Sequence, residues 1–439
     1  MADFTPHTAA DIASMLDFCG LASLDDLWTT IPAAIRLAAG TLDLDPGRSE
    51  PDTIAEFERL AAANRVGAEL VCFAGGGAYD HDVAAVVRRV AFRAEYVTAY
   101  TPYQPEVAQG VLQALFEYQT LVARLTGLPI ANASLYDGAT AAVEGVNLAV
   151  AATANQRVLV SAAVNPRTVE VIRTLAAGTG HVVDVAPLDR SGATAWPVQG
   201  SAGAVVVQYP NYLGVIEDVS AARAAADAAG AFLVVIMDPV AMGLLRSPGP
   251  LGADVVVGDG QVFGTPLSFG GPYVGLFACR QEHVRRLPGR LVGETVDVNG
   301  TTSYVTTLRT REQDIRREKA SSNVCTNQTL IAVCCAIQLG WLGASGLREM
   351  ALRCARGTRY ARESLLGIAG VEPLVEGPVL REFAVRTPVP ATTVIDRMAD
   401  EGFLAGIAID DDGLLIAVTE RRTRDEIDRF AAAMEKVTR

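Results

Sequence analysis

The chain has only two lysines, Lys319 and Lys436, among 37 Lys and Arg in 439 residues. Any chemistry that runs through a lysine amine must use one of these or borrow one from another chain. Histidine is nearly as scarce. His7, His81, His181 and His283 lie far apart, and none is spaced with cysteine or histidine as a zinc ligand set is, so no metal site is read. The seven cysteines (Cys19, Cys72, Cys279, Cys325, Cys334, Cys335, Cys354) form no C-x-x-C and sit in no secretory context. Reduced core thiols are expected rather than disulfides. With a net charge of −13 and no Lys/Arg block, nucleic-acid binding through phosphate neutralisation has no footprint, and the acidity favours solubility. Long apolar runs are also missing. The longest, 330–344, is interrupted by Gln338 and falls short of the roughly 20 residues of a membrane span, so it reads as a buried core helix. The first residues, MADFTPHTAADIASML, carry acids where a secretory signal carries bases. These absences together point to a cytoplasmic protein without a membrane or nucleic-acid partner.

What is present is a chain half apolar, long enough for roughly two to three domains. Residues 1–65 read as a polar-faced helical arm with start signals at Thr8–Asp11, Ser23–Asp26 and Ser49–Asp52. Residues 66–329 read as a large α/β domain. From 157 to 279, strand-like runs (RVLVSAAV, HVVDVAP, GAVVVQYP, FLVVIMDP, ADVVVGDG, YVGLFAC) alternate with helices, one opened by Pro166 and one at Ala221–Ala229. Near-continuous apolar strands in a βα rhythm predict a mostly parallel sheet covered on both faces. Residues 330–439 read as a long helix and a smaller α/β domain, with strands near FAVRT, FLAGIAI and LLIAVTE, helices Thr392–Glu401 and Thr423–Val437, and a hairpin turn at Asp410–Gly413.

Sites in such sheets lie beyond the carboxyl ends of the strands, which singles out 208–211, Asp238 and 258–261. Asp238, between six apolar residues and Pro239, suits either pairing with a protonated ring nitrogen or helix capping. Gly258, Gly260 and Gly264 space as G-x-G-x-x-x-G, a near miss of the dinucleotide fingerprint that runs into another strand, so a nicotinamide site is not expected. Asp137, Gly138 and Thr140 open a helix stripped of bulk, where free N–H groups can hold an anion such as phosphate or be capped in the ordinary way. In YTPYQPE, Pro102 and Pro105 stiffen a loop that carries Tyr100, Thr101, Tyr103 and Gln104. Those tyrosines are site groups or packing anchors. The triple glycine Gly75–Gly77 is a phosphate loop or a tight turn, and Asp80, His81 and Asp82 are an acid/base cluster or a solvated turn. Arg285, Arg286 and Arg290, with Arg316 and Arg317, make two basic clusters that either hold a carboxylate, a phosphate or a partner surface or lie on solvated loop and helix faces.

The motifs YTPYQPE, NASLYDGATA, VVVQYPNYLGVIED, LSFGGPYVG, LPGRLVGET and REQDIRREKASSNVCTN resemble the glycine dehydrogenase (decarboxylating) P-protein, subunit 1 or alpha subunit, of the glycine cleavage system. The likeness runs from about residue 5 to 430. It implies the fold of fold-type I pyridoxal-phosphate proteins and a homologous beta subunit, in an alpha2beta2 assembly, that carries pyridoxal phosphate on a lysine. It implies that glycine is decarboxylated on that cofactor and that the aminomethyl group passes to the lipoyl group of H-protein. In this chain Gln261 falls where the lysine would be. Asn165 stands where family alpha chains usually carry histidine before the proline. The resemblance thus leaves Asp137, Gly138, Thr140, Asn165, Asp238 and Gln261 as a vestigial cofactor site, with no cofactor bound covalently by this chain. It makes Tyr100, Thr101, Tyr103 and Gln104 candidates for a wall of the partner's site. The alternatives are a non-catalytic scaffold that stabilises a partner, a divergent paralogue acting on another amino acid, or a self-sufficient pyridoxal-phosphate enzyme with the wrong residue at 261.

Overall fold

The computed structural model describes residues 7–37, 43–65, 69–98, 100–197, 200–308, 320, 322 and 324–439. Contacts divide the chain into two compact units, 1–65 and 66–439. The first holds helices Ala9–Cys19 and Glu50–Ala62, with short 3-10 turns at Leu24–Trp28 and Ala33–Ile35. Their starts follow the expected signals. The Thr8 hydroxyl accepts the Asp11 N–H while the Asp11 carboxylate accepts the Thr8 N–H at 2.8 Å, and Ser49 caps Asp52 in the same sense. Each pairing satisfies N–H groups that a helix start leaves open.

The second unit is built on a seven-stranded sheet ordered Ile130–Ala131, Gly275–Cys279, Val255–Asp259, Phe232–Met237, Ala204–Tyr209, Arg157–Ser161, Val182–Ala186. The last five run parallel; Gly275–Cys279 pairs antiparallel with Val255–Asp259, and Ile130–Ala131 antiparallel with Gly275–Cys279. The continuous apolar runs arise because side chains alternate between two cores. Val205, Val207, Leu233, Val235 and Val256 enter one, and Ala204, Val206, Val234, Val255 and Val257 the other. Helix Gly138–Thr153 covers the second face with Ala141, Ala142, Val146 and Ala149. Helix Gln109–Thr126 and part of helix Thr329–Leu366 cover the first. The parallel strands therefore end together, at Tyr209, Met237 and Asp259, on one edge of the layered body.

A four-stranded antiparallel sheet follows in the order Glu372–Pro373, Glu382–Arg386, Gly413–Ala417, Ile407–Ala408. The expected single strand FLAGIAI is split at Gly406, whose φ of 152° takes it out of line. Phe403–Leu404 pairs instead with Val71–Cys72, in parallel. Phe73 then stacks on Phe430, centroids 4.0 Å apart, with both rings fully buried. The chain is thus moored in the C-terminal sheet before it turns through Gly75–Gly77 towards the strand ends of the large sheet.

Two stretches differ from expectation. The apolar 330–344 run is the first half of Thr329–Leu366, which bends at Gly343 (φ 57°, ψ −175°). This helix is long and apolar enough to cross a membrane by length and composition, yet Ala332, Cys335, Leu339, Leu347, Ala351 and Cys354 are part of the protein core. Residues 291–307, read as polar loop, form an antiparallel hairpin of Leu291–Val296 with Thr302–Thr307. Its turn is closed by the Asp297 carboxylate, which accepts the Asn299 and Thr301 N–H groups. Two glutamines of helix Gln109–Thr126 hold the hairpin. Gln119 pairs its carboxamide with both main-chain groups of Val292 (2.8 and 2.9 Å), and Gln109 does the same with Tyr304. Arg316, Arg317 and Lys319 lie outside the described residues.

Phe73→Ala is expected to destabilise the fold by about 3–5 kcal/mol, the usual cost of emptying a buried aromatic site. Urea unfolding measures it, and a loss below about 1 kcal/mol would mean that the Phe73–Phe430 stack does not moor the glycine loop.

Candidate functional site

A cavity of about 340 Å³ opens beyond the carboxyl ends of the parallel strands. Gly76, Asn165, Gln208, Asp238, Asp259 and Arg381 are among its lining residues. Of the residues singled out from sequence, Asp137, Gly138, Asn165 and Asp238 line it; Gln261, Thr140 and the four residues Tyr100, Thr101, Tyr103 and Gln104 do not.

Gln261 is 1% exposed and turned away from the cavity wall. Its Oε1 accepts the Tyr79 N–H at 3.0 Å, and its Nε2 donates to the Tyr79 carbonyl at 3.1 Å and to the Thr265 carbonyl at 2.8 Å. A carboxamide offers a donor and an acceptor side by side, so it closes a two-bond ring with one residue's main chain; an ammonium, donor only, cannot. Asn165 holds the same loop from its other end. Its Nδ2 donates to the Gly76 carbonyl at 2.8 Å while its Oδ1 caps Arg167. Glu382 completes the clamp by accepting the Gly76 N–H (2.7 Å) and the Tyr79 hydroxyl (2.8 Å). Gly75 admits nothing larger, since a Cβ there would sit 2.4 Å from Glu382 Oε1 and 2.5 Å from the Ala417 side chain. The triple glycine is therefore a tight, close-packed turn.

The helix N-terminus at Gly138 is occupied by the protein's own carboxylates. Asp259 Oδ2 accepts the Gly138 N–H at 2.8 Å, and Asp137 Oδ1 accepts the Thr140 N–H at 2.7 Å. An anion arriving there would meet two acids before it met the N–H groups. Burial pushes the Asp259 carboxyl up to about 7, although the Gly138 and Gln261 N–H bonds pull the other way. Asp238 is engaged as well. Oδ1 caps Val240 at 2.9 Å, and Oδ2 meets Arg381 Nη2 at 2.8 Å. The capping reading is realised, while the oxygen offered to a protonated ring nitrogen is taken up by an arginine instead.

Arg381, 3% exposed, organises the centre. It stacks on the Tyr79 ring, with Cζ 3.4 Å from the centroid, and donates to His81 Nε2 at 2.7 Å. Burial opposes its charge, and Asp238, Tyr79 and Glu382 together more than offset that. Because arginine only donates, His81 Nε2 is the acceptor, and the ring proton sits on Nδ1, which donates to Glu420 at 2.5 Å. Burial holds His81 below the ordinary imidazole range, consistent with a neutral ring. Asp80 pairs with Arg421 and, at 3.2 Å, with Arg422. Asp80 is thus ion-paired and His81 is a buried hydrogen-bonded ring, while Asp82 is exposed and gives its N–H to Glu420. The His81 partners Arg381 and Glu420 carry no sequence signal because each sits beside an ordinary strand. His81, Cys354 and Glu420 bring ligand atoms within 4.8 Å of one another, but they do not suit a cation. The carboxylate and both imidazole nitrogens are engaged, Arg381 adjoins, and burial keeps the Cys354 thiol protonated.

The YTPYQ loop is a separate feature. Tyr100 is 80% and Tyr103 42% exposed, Gln104 is exposed, and the Thr101 hydroxyl is buried without a hydrogen-bond partner among the described residues. Tyr103 is anchored by Arg290, whose Nη2 donates to its hydroxyl at 2.7 Å. Arg290 is thereby parted in role from Arg285 and Arg286, which lie in a 3-10 turn.

The sheet order and the cavity at its strand ends define a fold-type I pyridoxal-phosphate architecture. A sphingosine-1-phosphate lyase from Burkholderia pseudomallei shares the fold, with a TM-score of 0.60 at 18% identity over 93% of this chain and 94% of that one. The chain belongs to the glycine cleavage system P-protein family, whose model matches residues 2–434. It is 44% identical to proteins named probable glycine dehydrogenase (decarboxylating) subunit 1 from Prosthecochloris aestuarii (97% of this chain, 98% of that one) and Moorella thermoacetica (99% of each). The crystal structure of a glycine decarboxylase P-protein in inhibitor-bound form matches with a TM-score of 0.91 and 44% identity, covering 99% of this chain and 100% of that one.

The residues of this cavity do not fit pyridoxal phosphate. The amide at 261 forms no imine, the helix N-terminus that could take a phosphate is filled by the Asp137 and Asp259 carboxylates, and Asp238 is already paired with Arg381. Lys436 is on the terminal helix, paired with Glu401 at 2.7 Å.

Asp259 carries a pH signature. Its folded value of about 7 exceeds the roughly 3.9 of an unfolded Asp, so the protonated carboxyl stabilises the fold below pH of about 4 and that contribution is lost as pH rises through about 7, a swing on the order of 4 kcal/mol. A carboxamide in its place does not titrate. In urea unfolding, the stability of wild type relative to Asp259→Asn is expected to fall from pH 5 to pH 8; a difference that stays constant would mean that Asp259 does not titrate in this range.

Proposed function

We propose that this chain is the alpha subunit of a heteromeric glycine decarboxylase, with pyridoxal phosphate carried by a homologous beta subunit. The observation that carries the reading is the Gln261 carboxamide, fixed on the Tyr79 main chain at the position where a cofactor lysine is expected. The names of the relatives, subunit 1 of glycine dehydrogenase (decarboxylating), support a multi-subunit enzyme. On this reading Asp137, Gly138, Thr140, Asn165, Asp238 and Gln261 are a vestigial cofactor site that has become a structural clamp. The assembly is alpha2beta2 and cytoplasmic, glycine is the substrate, and lipoylated H-protein receives the aminomethyl group. The chain's part in turnover is to bind and orient from across the interface through Tyr100, Thr101, Tyr103 and Gln104. The unpartnered Thr101 hydroxyl supports this, because a buried hydroxyl without a bond costs about 1–3 kcal/mol unless something else supplies one.

Expressed alone, the chain is expected to show no cofactor absorbance and no glycine–bicarbonate exchange; with a lysine-bearing beta subunit both appear. Exchange from the lone chain would overturn the division of labour. Gln261→Lys is expected to stay colourless with added pyridoxal phosphate and to lose about 1–3 kcal/mol of stability, because the Tyr79 N–H is left without an acceptor. A stable, yellow variant would show that the cavity is still a cofactor site.

A further inference from the structure

Arg290 is 7% exposed, yet every acceptor its guanidinium meets among the described residues is neutral. Nη1 donates to Asn327 Oδ1 at 3.0 Å and to Thr326 Oγ1 at 3.4 Å; Nη2 donates to the Cys325 carbonyl at 3.1 Å and to the Tyr103 hydroxyl at 2.7 Å. Buried charges are ordinarily paired, so a guanidinium among neutral acceptors has been placed for something other than an ion pair within the chain. The cradle around it is built with strain. Ser134, at φ 96°, holds the 327–328 segment by accepting the Gln328 N–H and an Asn327 Nδ2 proton.

The consequence falls on Tyr103. An arginine N–H can only donate, so the phenol oxygen is the acceptor and the phenol proton must point away from Arg290. Tyr103 is 42% exposed, so that proton is offered outward. A cation behind the phenol and a proton in front of it favour an anionic oxygen as the group bound. With its four Nη protons directed at neutral acceptors, Arg290 acts on such a group through Tyr103 rather than by a two-pronged contact of its own.

We propose that Arg290 is a positioning residue that makes Tyr103 an obligate hydrogen-bond donor to the carboxylate of an amino-acid substrate held on the partner subunit. This rests on the reading that the 100–104 loop walls the partner's site. Arg290→Gln removes the charge and presents a carbonyl to which the phenol can turn its proton, so the donor is withdrawn from the outer face. Arg290→Lys keeps the charge and a donor.

The test uses the complex with the lysine-bearing subunit, with kcat and KM for glycine read from glycine–bicarbonate exchange. Tyr103→Phe and Arg290→Gln are each expected to raise KM about tenfold, the scale of one charge-assisted hydrogen bond, with little change in kcat. The double variant should be no worse than either alone, and Arg290→Lys should lie between wild type and Arg290→Gln. Effects that multiply in the double variant, or an Arg290→Gln enzyme with wild-type KM, overturn the positioning role while leaving the wall intact. An unchanged Tyr103→Phe enzyme overturns the wall, and this proposal with it. If Arg290→Gln does not assemble, Arg290→Lys combined with Tyr103→Phe decides the same question: multiplied effects count against the proposal, shared effects for it.

Discussion

The pairing of the Gln261 carboxamide with the main chain of Tyr79 is the contact on which the site depends. It fixes Tyr79, whose ring forms the floor under Arg381 and whose hydroxyl is bonded to Glu382. Arg381 in turn neutralises Asp238 and sets the tautomer of His81. Remove the first pairing and two buried charges, an acid and a base, lose the geometry that makes their burial tolerable. The same device recurs at Gln109 with Tyr304 and at Gln119 with Val292. In each case a side-chain amide imitates a strand edge and holds a segment far away in sequence. A fold that uses this device three times uses it at 261 to hold Tyr79.

The large sheet is legible because its strands are buried on both faces, so apolar runs such as AVVVQY at 204–209 stand out against the helices between them. Capping signals mark the starts of the helices at Ala9, Glu50 and Gly138 for an equally local reason. The hairpin at 291–307 is not legible. Val292 is its deeply buried apolar residue, so its alternation is weak, and what holds it is a pair of glutamines on a helix whose residues lie 173 and 195 positions away. The N-terminal half of the site behaves likewise. Tyr79, Asp80 and His81 find their partners more than 180 positions along the chain, and no local pattern announces a bond of that span.

At the candidate site, sequence picks out residues better than it assigns their roles. Asp238, Asn165 and the 258–261 strand end that contains Asp259 stand out, but Arg381, which decides what Asp238 can do, does not. A lone arginine before an apolar strand looks like a solvated charge; only the structure brings it under Asp238 with its faces covered. Asp259 falls in a candidate strand end, but its position against the Gly138 N–H depends on two elements meeting.

The changes that separate this cavity from a cofactor site are coupled rather than independent. The amide at 261 and the amide at 165 hold two ends of one loop, and the loop holds the floor on which Arg381 rests. Restoring a lysine would free a reactive amine but release Tyr79. The helix N-terminus would still be filled by Asp137 and Asp259, and Asp238 would still be bound to Arg381. Each of these changes would thus cost stability, and the cavity is held in its present arrangement by its own hydrogen bonds. The 100–104 loop, with Tyr103 backed by Arg290, stands outside this network of constraints.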